Sequence, residues 1–339
     1  MPAESDTRVA LVTGASGFVG RRLCERLQRE RARVIAVGRQ PQDGPWDEFR
    51  KADFSSGKIE EDLCRRADMV FHLASKAHAV AERPEEEADY EPVIVEGTRR
   101  LADAARRNGV ETFIYASSVK AMGEGNPVGL PLSPMDESWP HTPQSPYGAA
   151  KIQAEGIVRE SGFAHAVVLR PTMVYGPGEK GNLPRMIEAV RRGRFPPLPD
   201  TGNRRSMIFV DDLTEYLFRA ATLPVAAGKT YIVTGPDAPG TRELYDAIRE
   251  GLGLPPQEVA IPYALLRFAA GLGSVGSFFL RRRLPLDLVT LRKLTSSAWY
   301  SGAKAQRELA YQPRQAVLDW LRAAGTPIPG EAKLGANGF

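Results

Sequence analysis

The chain has 339 residues, 42% hydrophobic and 25% charged, with a net charge of +4 from 45 basic and 41 acidic side chains. This is ordinary globular composition, long enough for one large domain or two, and so small a basic surplus argues against nucleic acid as a partner. The two cysteines, Cys24 and Cys64, have neither metal nor redox spacing, so reduced buried thiols and no bound metal are expected.

The chain opens Met-Pro-Ala-Glu-Ser-Asp, polar and acidic. No signal peptide is visible there, so a cytoplasmic protein is expected. Short apolar runs then follow at 9–12, 34–37, 69–73, 113–116 and 167–169, which read as buried parallel strands. Helical patterns lie between them near 19–30, 97–108 and 147–160. The alternation predicts an α/β fold, a Rossmann-like doubly wound parallel sheet that binds ligands at the carboxyl ends of its strands. The pattern weakens after Tyr175. Gly176-Pro-Gly and Phe195-Pro-Pro-Leu-Pro read as loops, 208–210 and 231–233 as strands, and 212–223 as a helix. From Gly235 the chain is helical, irregular and rich in proline. The expected division is a dinucleotide-binding domain over 1–175, to which 206–234 returns. A smaller, mostly helical C-terminal substrate-binding region takes 176–205 and 235–330, and 331–339 forms a flexible tail.

Gly14, Gly17 and Gly20 stand between the first strand and the first helix. Glycines let the backbone turn tightly and approach a pyrophosphate, whose charge the helix N-terminus favours. Gly-x-x-Gly-x-x-Gly is not the commonest dinucleotide spacing, but its strand–loop–helix context gives it weight. The second strand ends Val37-Gly38-Arg39. A carboxylate there would hold the two ribose hydroxyls of NAD(H), whereas the Arg39 guanidinium suits a 2′-phosphate. NADP(H) is therefore favoured, with NAD(H) beside a solvated Arg39 as the alternative. Asp53-Phe54 falls where the next strand delivers a residue near the adenine.

Tyr147 and Lys151 are four residues apart, on one helical face. A neighbouring ammonium is expected to lower the phenol's pKa, so that it can exchange a proton with a substrate oxygen while hydride moves at a nicotinamide. Lys151 also suits the nicotinamide ribose. Upstream, Ser117-Ser118 closes the 113–116 strand, where a hydroxyl can donate to the same oxygen.

On these residues the chain resembles an extended short-chain dehydrogenase/reductase of the NAD-dependent epimerase/dehydratase type over nearly its whole length. Thr13–Gly20 is similar to that family's glycine loop, His72-Leu-Ala to the segment after its third common strand, and Leu169-Arg-Pro-Thr-Met-Val-Tyr-Gly-Pro-Gly to the segment following its sixth. The resemblance makes Ser118, Tyr147 and Lys151 the catalytic set. It implies cofactor contacts at Gly14, Ser16, Gly17, Phe18, Val19, Gly20, Arg39, Asp53, Phe54, Leu73, Ala74, Ser75 and Pro171, besides Tyr147 and Lys151. It also implies a homodimer. The chain departs from the family where Ile94 replaces the usual Asn before Val95-Glu-Gly-Thr, and where Trp299-Tyr300-Ser301 precedes 304–309 in place of an aspartate.

Within the family, Glu179-Lys-Gly-Asn-Leu and Asn203-Arg-Arg-Ser-Met resemble enzymes acting at carbon 4 of amino sugars on a diphosphate carrier. That resemblance implies substrate contacts at Lys120, Asn182, Arg204 and Arg205, the arginines on the diphosphate. The substrate is then a sugar on a nucleoside or polyprenyl diphosphate, epimerised or reduced at carbon 4. The competing reading is an NADP(H)-dependent reductase of lipophilic alcohols or ketones, similar to 3β-hydroxysteroid dehydrogenases and dihydroflavonol reductases. A silent NADP-binding scaffold is disfavoured by the intact catalytic set. The longest apolar stretch, 268–280, is followed by three arginines and is too short to span a bilayer. It reads as a buried or groove-lining helix, or as an apolar surface that rests on a membrane or holds a lipid-like substrate.

Overall fold

The structure, a computed structural model, describes residues 7–55, 59–75, 90–123, 133–280 and 287–323. Seven parallel strands form the main sheet: β1 (Val9–Thr13), β2 (Arg33–Gly38), β3 (Glu48–Lys51), β4 (Met69–His72), β5 (Thr112–Ala116), β6 (His165–Pro171) and β9 (Thr230–Val233). Their order is β3-β2-β1-β4-β5-β6-β9. The order reverses between β1 and β4, which opens a crevice at their carboxyl ends. β7 (Met173–Tyr175) and β8 (Met207–Phe209) pair separately, also in parallel.

Both faces of the main sheet are covered, which is why its central strands are mostly apolar, with Thr13, His72 and Arg170 as buried exceptions. On one face lie α1 (Phe18–Arg29) and α5 (Val210–Thr222), which bury Leu23, Leu27, Leu213 and Leu217. On the other lie α2 (Gly97–Arg107) and α3 (Pro146–Glu160), with Leu101, Ala105, Ala154 and Val158. Ser145 starts α3 by accepting from the Gly148 amide, and Pro146 follows in the first turn, where its missing N–H costs nothing. A π-helical turn, Glu91–Glu96, leads into α2 at the position of Ile94.

β3 has no apolar run to reveal it, because it is a charged edge strand, Glu-Phe-Arg-Lys. Val210 opens α5 instead of closing a strand, and Asp211 and Asp212 suit that helix's positive end. The segments expected to form a substrate-binding region hold α4 (Asn182–Arg191), α6 (Thr241–Gly251), α7 (Tyr263–Leu280), α8 (Leu288–Thr295), α9 (Ala303–Glu308) and α10 (Val317–Arg322). Leu244, Ile248, Val317 and Leu321 join α6 to α10. Leu266 and Ala270 of α7 pack on Leu291 of α8 and on Leu198. Among the described residues no helix is long and apolar enough to cross a membrane. Cys24 and Cys64 are buried free thiols, each pushed up to about 12 by that burial. The tail expected at 331–339 lies outside the described residues.

Candidate active site

The glycine loop leaves β1 and enters α1 in one tight turn. Gly14 adopts φ +70, and a Cβ on Gly20 would collide with the Gly14 carbonyl oxygen. Ser16 and Gly17 are exposed at the tip, Phe18 and Val19 begin the helix, and Val19 packs against the core. The N-terminus of α1 has no side-chain cap and no acidic residue in its first turn. Its amides are therefore open to an anion, as a pyrophosphate site requires.

Arg39 follows β2 on the surface. It lies close enough to Asp53 for its charge to help hold that carboxyl below its usual range, after the larger effect of hydrogen bonds from Ser55. Phe54 is buried, with its ring 5.6 Å from that of His72, so its side chain belongs to the core. Leu73, Ala74 and Ser75 follow β4, and Pro171 ends β6, all at the carboxyl edge of the sheet.

Tyr147 and Lys151 lie in the first two turns of α3. A Cβ on Gly148 would strike the Lys120 carbonyl. That glycine thus lets α3 approach the short turn Val119–Ala121 and brings Tyr147 beside Ser118. The hydroxyls of Ser75 and Ser118 both favour the Tyr147 phenolate, yet burial outweighs them and pushes the phenol up to about 12. This corrects the expected lowering by Lys151. The ammonium is itself buried, 2% exposed, and burial lowers it to about 7. It donates to the Ala116 carbonyl at 2.8 Å and sits 5.8 Å from the Tyr147 ring centre and 4.8 Å from that of Tyr115. The free site therefore holds a protonated phenol at neutral pH. Tyr90 meets the Tyr147 ring edge-on at 5.7 Å, and Lys120 Nζ lies 5.9 Å from it.

Behind this group Glu155 is fully buried. It accepts from Ser117 Oγ at 2.5 Å, Arg170 Nε at 2.9 Å and Arg170 Nη2 at 2.6 Å. His72 is buried under the crevice. The Ala74 amide donates to Thr13 Oγ1, and the Thr13 hydroxyl lies 2.7 Å from His72 Nδ1. On the other side His72 Nε2 lies 3.0 Å from Thr98 Oγ1, whose hydroxyl donates to the Ile94 carbonyl. Because the Thr98 proton is committed to Ile94, this order assigns the imidazole proton to Nε2. Desolvation, with the Lys151 charge adding to it, drops His72 to about 3 and keeps it neutral.

The two arginines expected to contact substrate differ. Arg204 is exposed and pairs with Glu243 at 3.5 Å. Arg205 is half-buried, and among the described residues its side chain reaches Thr241 Oγ1 at 3.4 Å and the Ser296 carbonyl at 3.3 Å. Burial lowers its pKa, and among the described residues no carboxylate pairs with it. The next residue, Ser206, bonds the Tyr300 backbone, and Tyr300 Oη donates to the Gly123 carbonyl at 3.0 Å. Tyr300 thus ties the Arg205 segment to the turn after Ser118. Asn182 is exposed at the start of α4. Just before it Glu179 is buried, with Oε2 lacking a hydrogen-bond partner among the described residues.

A model of the NAD dependent epimerase/dehydratase family matches residues 10–234, which include the glycine loop, Ser118, Tyr147 and Lys151. The chain belongs to this family. It is 30% identical over 262 residues to the UDP-glucose 4-epimerase of Vibrio cholerae, covering 74% of this chain and 78% of that one. It is 29% identical over 336 residues to the 2-alkyl-3-oxoalkanoate reductase of Stenotrophomonas maltophilia, covering 92% and 97%. Among solved structures, MoeE5 in complex with UDP-glucose and NAD superposes with a TM-score of 0.70 at 25% identity, covering 92% of this chain and 95% of that one. This family member is therefore an enzyme of the extended short-chain dehydrogenase/reductase type, built around a nicotinamide dinucleotide.

Several residues of the site escaped the sequence reading. Glu155 lies one turn beyond Lys151 on the same helical face, and Arg170 is a lone charge between Leu169 and Pro171 in a buried strand. Both positions were visible signals, since a charge in an apolar strand needs a partner. Thr13, Thr98 and Tyr300 fell within stretches compared with the family, but nothing local gave them these partners, and nothing pointed to Thr241.

Proposed function

We propose that this enzyme transfers a hydride between NADP(H) and carbon 4 of a sugar carried on a nucleoside or polyprenyl diphosphate, with reduction of a 4-keto group as the favoured direction. The observation that carries the substrate reading is Arg205, a half-buried guanidinium with two long hydrogen bonds and no carboxylate partner among the described residues. A desolvated cation of this kind is costly unless an anion completes it. A diphosphate matches its fork geometry. Exposed Arg204 and Asn182 and half-buried Lys120 complete the substrate contacts.

The cofactor, when bound, supplies or accepts the hydride. Arg39 pairs with its 2′-phosphate and Lys151 with the nicotinamide ribose. Ser118 Oγ donates to the substrate oxygen, and Tyr147 passes the proton. The protonated phenol at neutral pH supports reduction, which needs a proton delivered to the new alkoxide.

A second reading is reduction of a lipophilic 3-oxo acid. The reductase relative favours it, because the match spans 97% of that chain against 78% of the epimerase. Steady-state kinetics on both substrate classes separate the readings. For a sugar diphosphate, Arg205→Ala is expected to raise KM roughly ten- to a hundredfold with a smaller effect on kcat, since it removes a charge-assisted contact. Arg205→Lys restores only part, because an ammonium cannot make the fork contact. Unchanged KM in Arg205→Ala, or turnover confined to 2-alkyl-3-oxoalkanoates, overturns the first reading.

A further inference from the structure

We propose that the outer face of α7 and α8 seats on an anionic phospholipid surface. The proposal is independent of the substrate reading. Eight large hydrophobic side chains are exposed among the described residues, and six of them lie on this helix pair: Tyr263, Leu265, Phe268, Leu272, Leu288 and Val289. Concentration of that kind marks an interaction surface, where scattered exposure would not. Leu265, Phe268 and Leu272 follow at i, i+3 and i+7, so they form one stripe along α7. Phe268 is 65% exposed and Leu272 60%. The opposite face of the same helix, Leu266 and Ala270, already packs on Leu198 and Leu291. The stripe is therefore not needed to hold α7 to the body of the protein.

Charge decides the kind of partner. Arg267 and Arg292 flank a cleft of about 490 Å³ between the two helices, with Tyr263 and Leu288 on its walls. Lys293 is exposed beside them. From Val259 to Leu286 the sequence carries four arginines, Arg267, Arg281, Arg282 and Arg283, and no acidic residue. An apolar stripe whose bordering charges are mostly cations, with Asp287 at the N-cap of α8 as the exception, fits the interface of an anionic bilayer, where side chains enter the acyl boundary and guanidiniums stay among the phosphates. A second copy of this face would bring like charges together. With 18 residues and no apolar window long enough to span, α7 fits a helix lying in the interface plane. Ser296, which accepts from Arg205, lines the same cleft, so the docked face lies next to the substrate side of the site.

Co-sedimentation of the full chain with phospholipid vesicles tests this. The protein is expected to pellet with phosphatidylcholine vesicles containing roughly 30% phosphatidylglycerol, weakly with phosphatidylcholine alone, and less in about 0.5 M salt. Leu265→Glu/Phe268→Glu is expected to lose at least about tenfold in partitioning while keeping cofactor binding, which reports that it folds. Arg267→Gln and Arg292→Gln are each expected to lose roughly fivefold. They provide the test should the double variant fail to fold. Absence of binding to the phosphatidylglycerol vesicles overturns the proposal, as does equal binding by these variants. So does a dimer that Leu265→Glu/Phe268→Glu converts to a monomer in a chain that binds no vesicles, because a second copy would then own the face.

Discussion

Ser117 Oγ donates to Glu155 Oε1 at 2.5 Å, while the neighbouring Ser118 stands against the Tyr147 phenol. Two adjacent serines on extended backbone point to opposite sides, so one is structural and the other faces the crevice. Ser118→Ala is expected to lower kcat about 10²- to 10³-fold with little change in melting temperature, as when one donor to a reacting oxygen is removed. Ser117→Ala should do the reverse. It leaves a buried carboxylate short of a donor, which costs about 1–3 kcal/mol, and leaves kcat nearly unchanged. Thermal unfolding and steady-state kinetics on the two variants check the assignment.

On the proposed mechanism, Tyr147→Phe removes only the hydroxyl that passes the proton. Turnover is expected to fall about 10²- to 10⁴-fold while the dissociation constant of the reduced cofactor stays within about twofold. Fluorescence titration of the cofactor alongside single-turnover rates measures both. Retention of more than about half the activity would remove Tyr147 from the chemistry.

On the proposed reading, Arg39 sets the cofactor preference. The unmodified protein is expected to bind NADPH more tightly than NADH, and Arg39→Asp to reverse the order by exchanging a phosphate partner for a ribose acceptor. Calorimetric titration with both cofactors reads this directly. Equal affinities in the unmodified protein would sink it.

His72 makes the fold acid-sensitive. Its folded pKa lies near 3, below the ordinary 6.5, because the neutral ring is buried between Thr13 and Thr98. A depressed value means the unfolded chain takes up the proton first. The stabilisation is present above about pH 6.5 and is lost as the pH falls toward and through about 3, by up to about 5 kcal/mol. Melting temperatures of the cofactor-free protein between these limits should drop steeply, and His72→Gln should flatten the slope.

Glu179 acts with the opposite sign. Burial raises its carboxyl to about 7 from 4.5. Its protonated form is at ease in the fold, so this contribution is present below about pH 4.5 and is lost as the pH rises through about 7. Glu179→Gln is expected to raise stability at pH values above about 7 by up to about 3 kcal/mol, with little effect near pH 4.5. Denaturant unfolding at the two pH values tests the difference.

Strands, helices and the two central motifs were legible in the chain because their signals are local. The runs at 9–12 and 34–37 are apolar, and 69–73 is apolar but for His72, because each strand is covered on both faces. The Gly14–Gly20 turn and the Tyr147–Lys151 pair are formed by residues within one or two helical turns of each other. β3 was missed because an edge strand buries little and so needs no apolar run. β7 was missed because only Thr172 separates it from the end of β6, so the two read as one segment.

The state of the site depended on partners far apart in sequence. Thr13 meets His72 across 59 residues, and Ser206 meets Tyr300 across 94. Motif spacing placed an ammonium near a phenol and so suggested a lowered pKa. Burial of both groups, which depends on how α3 packs against β5 and the turn after it, raised the phenol and lowered the lysine instead. Arg204 and Arg205 look alike in the sequence. In the fold one is a solvated partner of Glu243 and the other a desolvated cation without a carboxylate partner among the described residues. Composition and periodicity report which residues must be buried. They do not report what each buried charge will meet, because that is settled when distant segments close around it.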